Sequence, residues 1–405
     1  MRLKIAVRNI FRNRGRTSVS VLMIAGAVAS IIIFRGFSAE LLHKLQKVST
    51  ESQYGHIQIA TIPQWESTPG NRKGHYIHDL PKLREELKKN SSIISTSGGL
   101  SGYALISSGE LTVSAKMVGV EPENAAALQS VMWLPEDQQL NAGSKFEVLL
   151  GAGLARQMNV KVNDDVTALA NTLDGVMNAV DLKVKGIFRT GLSEIDENVF
   201  FLPLSAAQTL LDTHDIDKLT LRIANVDKAE DVRAQIQPAI SGLNETYKAK
   251  TWYEQADFYR RTEAFYKLQD RVITIILVSL ILLGILNSVG MSIYERTGEI
   301  GTIRALGDSE NSLIHQFLLE GSVLGFLGVA VGFILGPMLV ILINTAGFTM
   351  DVPGASVPVP IEVQMIPEAF FEAAIVSVLA AILASYIPSV RASRISIVDA
   401  LRENI

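Results

Sequence analysis

The sequence predicts an α-helical membrane protein with four transmembrane helices and a mixed α/β extracytoplasmic domain inserted between spans 1 and 2. Two observations carry that expectation. Four uncharged stretches, Thr17–Phe34, Val272–Tyr294, Gly321–Met350 and Ala373–Val390, run for 18, 23, 30 and 18 residues. About 20 apolar residues in helical conformation cross the hydrocarbon core of a bilayer, so each stretch is a candidate span. Their order is lopsided, one at the start and three in the last third. Residues 36–270, between the first two, instead alternate short strand and helix patterns. The composition agrees: with 48% hydrophobic and 19% charged residues the chain is too charged to be all membrane and too apolar in blocks to be wholly soluble.

Residues 1–16 carry Arg2, Lys4, Arg8, Arg12, Arg14 and Arg16 and no acidic side chain. A secretory signal peptide is the rival reading, but Thr17–Phe34 is longer than the usual apolar region of about 7–15 residues, and no A-x-A pattern follows at Arg35–Glu40. An uncleaved first span, 17–37, is expected. Arg296 and Arg304 lie after the second span and Arg391, Arg394 and Arg402 after the fourth, whereas 344–367 has no Lys or Arg. Positive side chains mark the cytoplasmic side, so both termini and the 295–312 loop are expected inside, and the large domain and the 346–367 loop outside.

The cytoplasmic segments have their own patterns. In 1–16, Leu3, Val7, Ile10 and Phe11 share one helical face and Lys4, Arg8 and Arg12 another, an amphipathic helix on the membrane surface that would meet anionic lipid. In 295–312, Glu295, Arg296, Glu299 and Arg304 alternate in sign while Ile300, Ile303 and Leu306 recur one turn apart. A short helix stopping at Gly307 is expected, with Asp308 or Ser309 capping the next.

The second span is placed at 271–294, the third at 313–345 and the fourth at 368–388, with a tail at 389–405. Gly321, Gly325, Gly328, Gly332 and Gly336 lie on one face of span three, a surface for close helix packing. Glu320 stands just inside that span, where it can reach water or a basic side chain.

In 38–270 the strand patterns are His56–Ala60, Leu111–Val120, Phe146–Leu150, Asp181–Phe188, Asn198–Leu202 and Lys218–Ile223. Helical patterns are Leu80–Lys89, Glu123–Gln129, Gly151–Gln157, Ala206–Leu211 and Val226–Ile240. Leu41–Val48 and Trp252–Leu268 read as helical stalks running into spans one and two. Two subdomains are expected, split near residue 100 and rejoining near 225.

Several chemistries drop out. The chain has no cysteine, which removes disulfides and thiol chemistry. A net charge of −4 without basic and aromatic interleaving gives no nucleic-acid footprint. No G-x-x-x-x-G-K-[ST] loop occurs, and Ser97–Gly102 carries the letters of an ATPase signature out of order. His75 and His78 beside Asp79 lack an H-E-x-x-H frame, and no G-x-S-x-G elbow is present. No catalytic, cofactor-binding or metal-binding residue is assigned.

Five segments carry a family resemblance. Arg8-Asn9-Ile10-Phe11-Arg12-Asn13-Arg14-Gly15-Arg16-Thr17 resembles the entry segment of the MacB, LolC/LolE and FtsX-like permeases of ABC transporters. Glu295-Arg296-Thr297-Gly298-Glu299-Ile300-Gly301-Thr302-Ile303-Arg304-Ala305-Leu306-Gly307 is similar to the segment joining their second and third spans. Pro388–Arg394 with Asp399-Ala400-Leu401-Arg402 resembles their C-terminal signature. Gly55–Ile59 and Leu149–Ala155 resemble their periplasmic domain. Gly298 stands where a basic residue is usual, and Ile397 where proline is common.

The resemblance implies a MacB-like periplasmic domain and a non-catalytic permease of the bacterial inner membrane. It also implies that 295–306 is a coupling helix seated on a separate ATPase, which would bind the ATP and magnesium. Partners would be two ATPase copies, a second permease, identical or homologous, and an extracytoplasmic lipoprotein or carrier. The implied work is mechanotransmission, moving a lipoprotein or other amphiphile; the alternative is FtsX-like activation of an outer partner such as a cell-wall hydrolase.

Overall fold

The structure, a computed structural model, describes residues 6, 8–10, 12–66, 75–351 and 354–394. Leu3, Lys4, Val7 and Phe11 of the amphipathic face, and Ile397 with Asp399–Arg402 of the tail, lie outside the described residues. The chain divides into two compact units: Met1–Leu42 with Thr262–Phe348 and Pro360–Ile405, and His43–Arg261 with Thr349–Val359.

In chain order the elements are helix α1 (Arg14–Ser49), a π-turn at Thr50–Tyr54, β1 (Ile57–Thr61), α2 (Ile62–Glu66), α3 (Leu80–Leu87), β2 (Ile93–Ser107), β3 (Thr112–Val120), α4 (Ala126–Ser130) and β4 (Glu147–Gly151). There follow α5 (Ala152–Met158), β5 (Asp165–Asn171), β6 (Met177–Phe188), α6 (Ser193–Asn198), β7 (Val199–Pro203), α7 (Leu204–Leu211) and β8 (Lys218–Ile223). Then come α8 (Ala229–Leu243), β9 (Tyr247–Thr251), α9 (Trp252–Gln255), α10 (Asp257–Glu295), α11 (Thr297–Ala305) and α12 (Glu310–Ala346). The short β10 (Thr349–Met350) and β11 (Val359–Pro360) precede α13 (Pro367–Ser393).

One nine-stranded sheet organises the α/β unit, in the order β3-β7-β4-β6-β5-β2-β8-β1-β9. Strand β2 does two jobs. Its first half pairs with β8 as far as Gly99, and its second half pairs with β3 and β5, which closes β3-β7-β4-β6-β5-β2 into a ring. The expected split near residue 100 therefore falls inside a continuous strand and not at a linker. In the second half, alternate residues Leu100, Ala104 and Ile106 are buried while Tyr103 and Leu105 are exposed, the period-2 signature of a ring wall. Leu100, Ile106, Met117, Val148, Val184 and Phe200 belong to the main core. A second cluster lies on Leu149, Phe188, Ile195 and Phe201, with Phe188 and Phe201 edge to face at 5.3 Å.

Among the described residues four helices, α1, α10, α12 and α13, are long and apolar enough to cross a membrane. In the helical unit Ile24, Val28, Ile31 and Ile32 of α1 share one core with Ile281, Ile285 and Val289 of α10, Phe317 and Val329 of α12, and Ala381 and Ala384 of α13. The helical pattern Trp252–Leu268 is interrupted: α9 ends at Ala256 (φ −80°, ψ 71°), and α10 begins one residue later.

Where α1, α10 and α13 meet, Arg35 Nε and Nη2 donate to the two oxygens of Asp270 at 2.9 and 3.0 Å, and Nη1 pairs with Glu372. A planar fork fits a carboxylate in a way that an ammonium does not. Arg35→Lys should therefore lower the stability of the helical unit by about 1–2 kcal/mol. Thermal unfolding in nanodiscs checks this, and an unchanged midpoint would refute it.

Candidate functional site

The site begins with how the sequence ends a helix. Helix α10 closes at Glu295, and α11 turns away after Arg296 (φ −118°, ψ 17°). Gly307 stops α11 at φ +98°, a conformation that only glycine adopts without penalty. Its N–H donates to Arg304 O at 3.0 Å, and Asp308 N donates to Ile303 O at 3.3 Å. Ser309 then caps α12, its hydroxyl accepting from Ser312 N.

Charge ties this corner to the N-terminal segment. Arg296, with a side chain 10% exposed, donates Nη1 to Glu320 Oε1 at 3.2 Å and Nε to Glu299 Oε2 at 3.1 Å. Glu320, 4% exposed, also accepts from Asn9 Nδ2 at 2.7 Å. Arg12 Nη1 lies 2.9 Å from Glu299 Oε1, and Arg16 grips both oxygens of Glu295 at 3.2 and 2.5 Å. Arg304 Nη2 pairs with Glu310 Oε1 at 3.1 Å. A buried carboxylate is tolerable when a cation and a hydrogen-bond donor meet it, and Glu320 has both.

The hydrogen bond from Arg12 holds the Glu299 carboxyl below the usual carboxylate range, with Arg296 adding to it. Arg16 does the same for Glu295. A depressed carboxyl contributes stability that is complete above its unfolded value and is lost as pH falls through the folded one. Protection of the N-terminal segment against hydrogen exchange should hold from neutral pH to about 5 and fail below about 4. The change should be small, since half-exposed pairs are screened. Weakening already at neutral pH would contradict this origin.

Among the sequence-predicted residues, Glu295, Arg296 and Glu299 meet in this network. Ile300 is 3% exposed and joins the helical core, Ile303 is half-buried, and Leu306 is 83% exposed. The glycines of α12 divide between two neighbours. A Cβ on Gly321 would lie 2.6 Å from Ser385 Cβ, and one on Gly325 3.0 Å from Ala381 Cβ, both on α13. Gly328, Gly332 and Gly336 face Ile24, Val28 and Ile32 of α1. Sequence reasoning missed that Asn9, Arg12 and Arg16 reach Glu320, Glu299 and Glu295, and missed Arg35, Asp270 and Glu372 altogether. Opposite charges at the ends of neighbouring spans were the available signal. His78 Nδ1 sits 2.7 Å from Asp215 Oδ2, a hydrogen-bond partner that the sequence did not suggest.

Residues 271–397, which contain α11, α12 and α13, match the family described as FtsX-like permease C-terminal. The relatives that the chain resembles are permeases of the Lol and MacB type. The chain is similar to the lipoprotein-releasing system transmembrane protein LolE of Haemophilus influenzae, 24% identical over 80% of this chain and 77% of that one. It is likewise similar to the lipoprotein-releasing system transmembrane protein LolC of Neisseria meningitidis serogroup B, 24% identical over 80% and 76%. The macrolide export ATP-binding/permease protein MacB 1 of Yersinia pestis bv. Antiqua is 22% identical over 98% of this chain and 60% of its own length. Among solved structures, the periplasmic region of MacB from Actinobacillus actinomycetemcomitans aligns with 52% of this chain and 94% of its own, at 15% identity and a TM-score of 0.37.

Proposed function

We propose that this chain is the permease subunit of an ATP-driven assembly that works by mechanotransmission and moves a lipoprotein or other amphiphile on the outer side of the bacterial inner membrane. Both termini and 295–312 face the cytoplasm, and the α/β unit, inserted between spans one and two, faces outward. ATP and magnesium belong to a separate ATPase present in two copies, and a second permease, identical or homologous, completes the assembly.

The observation that carries this reading is the corner around α11. Ile300 anchors the helix in the core, and Arg296 and Glu320 bond it to α12, while Leu306 stands exposed. An exposed apolar side chain at the end of a braced helix suits a partner subunit. Leu306, with the exposed Thr302 and Ala305, is assigned as the ATPase contact, and Arg296, Ile300 and Arg304 as its support. A push on this face moves the braced helix with the helices on either side of it. Helix α10, 39 residues long, extends about 58 Å at 1.5 Å per residue and carries the displacement along the chain toward the α/β unit. The lipoprotein-releasing relatives support the cargo class.

Co-expression with candidate ABC ATPases from the same genome, followed by purification through a tag on this chain, tests the reading. An ATPase should be recovered with the permease in equal amount. A permease purified alone from intact membranes would sink it.

A further inference from the structure

The connection between α12 and α13 is fastened at two places. Near its return, Asn344 takes both backbone groups of Val363: Nδ2 donates to Val363 O at 3.0 Å, and Oδ1 accepts from Val363 N at 2.9 Å. Gln364 N donates to Gly36 O at 3.2 Å, and a Cβ on Gly36 would lie 2.7 Å from Val363 Cγ1, so α1 holds the same point.

The second fastening lies within the α/β unit. Ser193 N donates to Gly354 O at 2.9 Å, and Ser356 N to Gly191 O at 3.0 Å, framing an antiparallel bridge between Leu192 and Ala355. Gly191 and Gly354 have φ of +85° and +87°, which lets the two turns face each other. Beneath them Asp196, 1% exposed, accepts from Thr190 N and Oγ1, each at 2.8 Å, and from the Ser356 hydroxyl at 2.5 Å. A buried carboxylate with three donors fixes a local geometry, and one of its three comes from the connection itself.

We infer that Asp196 and Ser356 form a latch that makes the connection between α12 and α13 a third force path to the α/β unit, besides the chain continuity of α1 and α10. The reason is slack. Seven peptide links separate Ser356 from Val363 and reach at most about 25 Å when fully extended. Beyond that reach a displacement of the α12–α13 ends must carry the Asp196 turn with it or break the latch. Asp196 is thus a positioning residue, and its role rests on the mechanotransmission reading above.

The test uses the full chain in nanodiscs. Ser356→Ala should speed amide exchange at Ser193 and Ser356 by about tenfold, the loss expected for a hydrogen bond to a carboxylate. In a chain without native cysteines, the pair Leu192→Cys/Ala355→Cys should oxidise and slow that exchange, since bridge partners sit at disulfide distance. Unchanged exchange in Ser356→Ala overturns the latch.

In the complex purified with its ATPase, ATP with vanadate should alter exchange across Ser193–Asn198. Ser356→Ala should reduce that response to what α1 and α10 carry, and the oxidised cysteine pair should keep it in full. A full response in Ser356→Ala overturns the force path. Absence of any ATPase from the wild-type preparation contradicts the permease reading and the force path with it, while the exchange comparison still decides the latch.

Discussion

Glu320→Leu is expected to destabilise the helical unit by about 3–5 kcal/mol, the cost of stranding a buried charge. Arg296 would keep only the half-exposed Glu299, and Asn9 would lose its acceptor. Glu320→Gln keeps the shape and an oxygen for Asn9 but no charge, so it should fall between the two. The combination Glu320→Leu with Arg296→Met removes both charges and should recover most of the loss, because a buried pair is often replaceable by apolar side chains. Unfolding of the purified permease in nanodiscs measures all three. Glu320→Leu within about 0.5 kcal/mol of wild type, the range of ordinary surface changes, would contradict the assignment. The functional consequence follows from the same contacts: without Glu320, α11 keeps the Arg304–Glu310 pair but loses its buried tie to α12, and on the proposed reading should transmit a push poorly.

The second large effect concerns Gly321. An added methyl there meets Ser385 Cβ at 2.6 Å with Ala381 O 3.2 Å away, so neither helix can yield without moving backbone. Gly321→Ala should cost about 1–3 kcal/mol through overpacking. Ser385→Gly removes the obstacle, and the double variant should recover at least half of the loss, a coupling that a double-mutant cycle reads directly. Gly290→Ala is the control: nothing lies within 4 Å of its Cβ, and helix propensity alone should make it neutral or stabilising. Equal losses at Gly321 and Gly290 would mean that close packing is not what Gly321 provides.

Much of this molecule was legible because membranes impose simple rules. Helices α1, α10, α12 and α13 announce themselves by uncharged length, and α11 by the sign alternation around Ile300 and the stop at Gly307. Strands β1, β3, β4, β6, β7 and β8 were readable from β-branched and aromatic runs.

What was missed has physical causes. Strand β2 contains Ser95, Ser97, Gly98 and Gly99, residues that favour turns, and this stretch is held extended by its pairing with β8. Strand β9, Tyr247–Thr251, is a short edge with Lys248 and Lys250, the charged edge that sheets use against aggregation, and so reads as a loop. Helix α6 has six residues and no amphipathic period, and Leu192 before it makes no side-chain cap. At the candidate site each charged residue could be singled out, but not its partner. Asn9 and Glu320 are 311 positions apart, and only packing of the helices chooses that pairing over the other carboxylates within reach.

The most direct test of the central claim is the ATPase rate of the purified assembly in nanodiscs with Leu306→Asp. Leu306 is 83% exposed and outside the core, so the variant should fold with an unchanged unfolding midpoint. If α11 is the seat of the ATPase, a buried aspartate in that contact should cost at least about 2 kcal/mol, and the assembly should fall apart or lose its permease-dependent rate by roughly thirtyfold. An intact assembly with a wild-type rate would contradict the account.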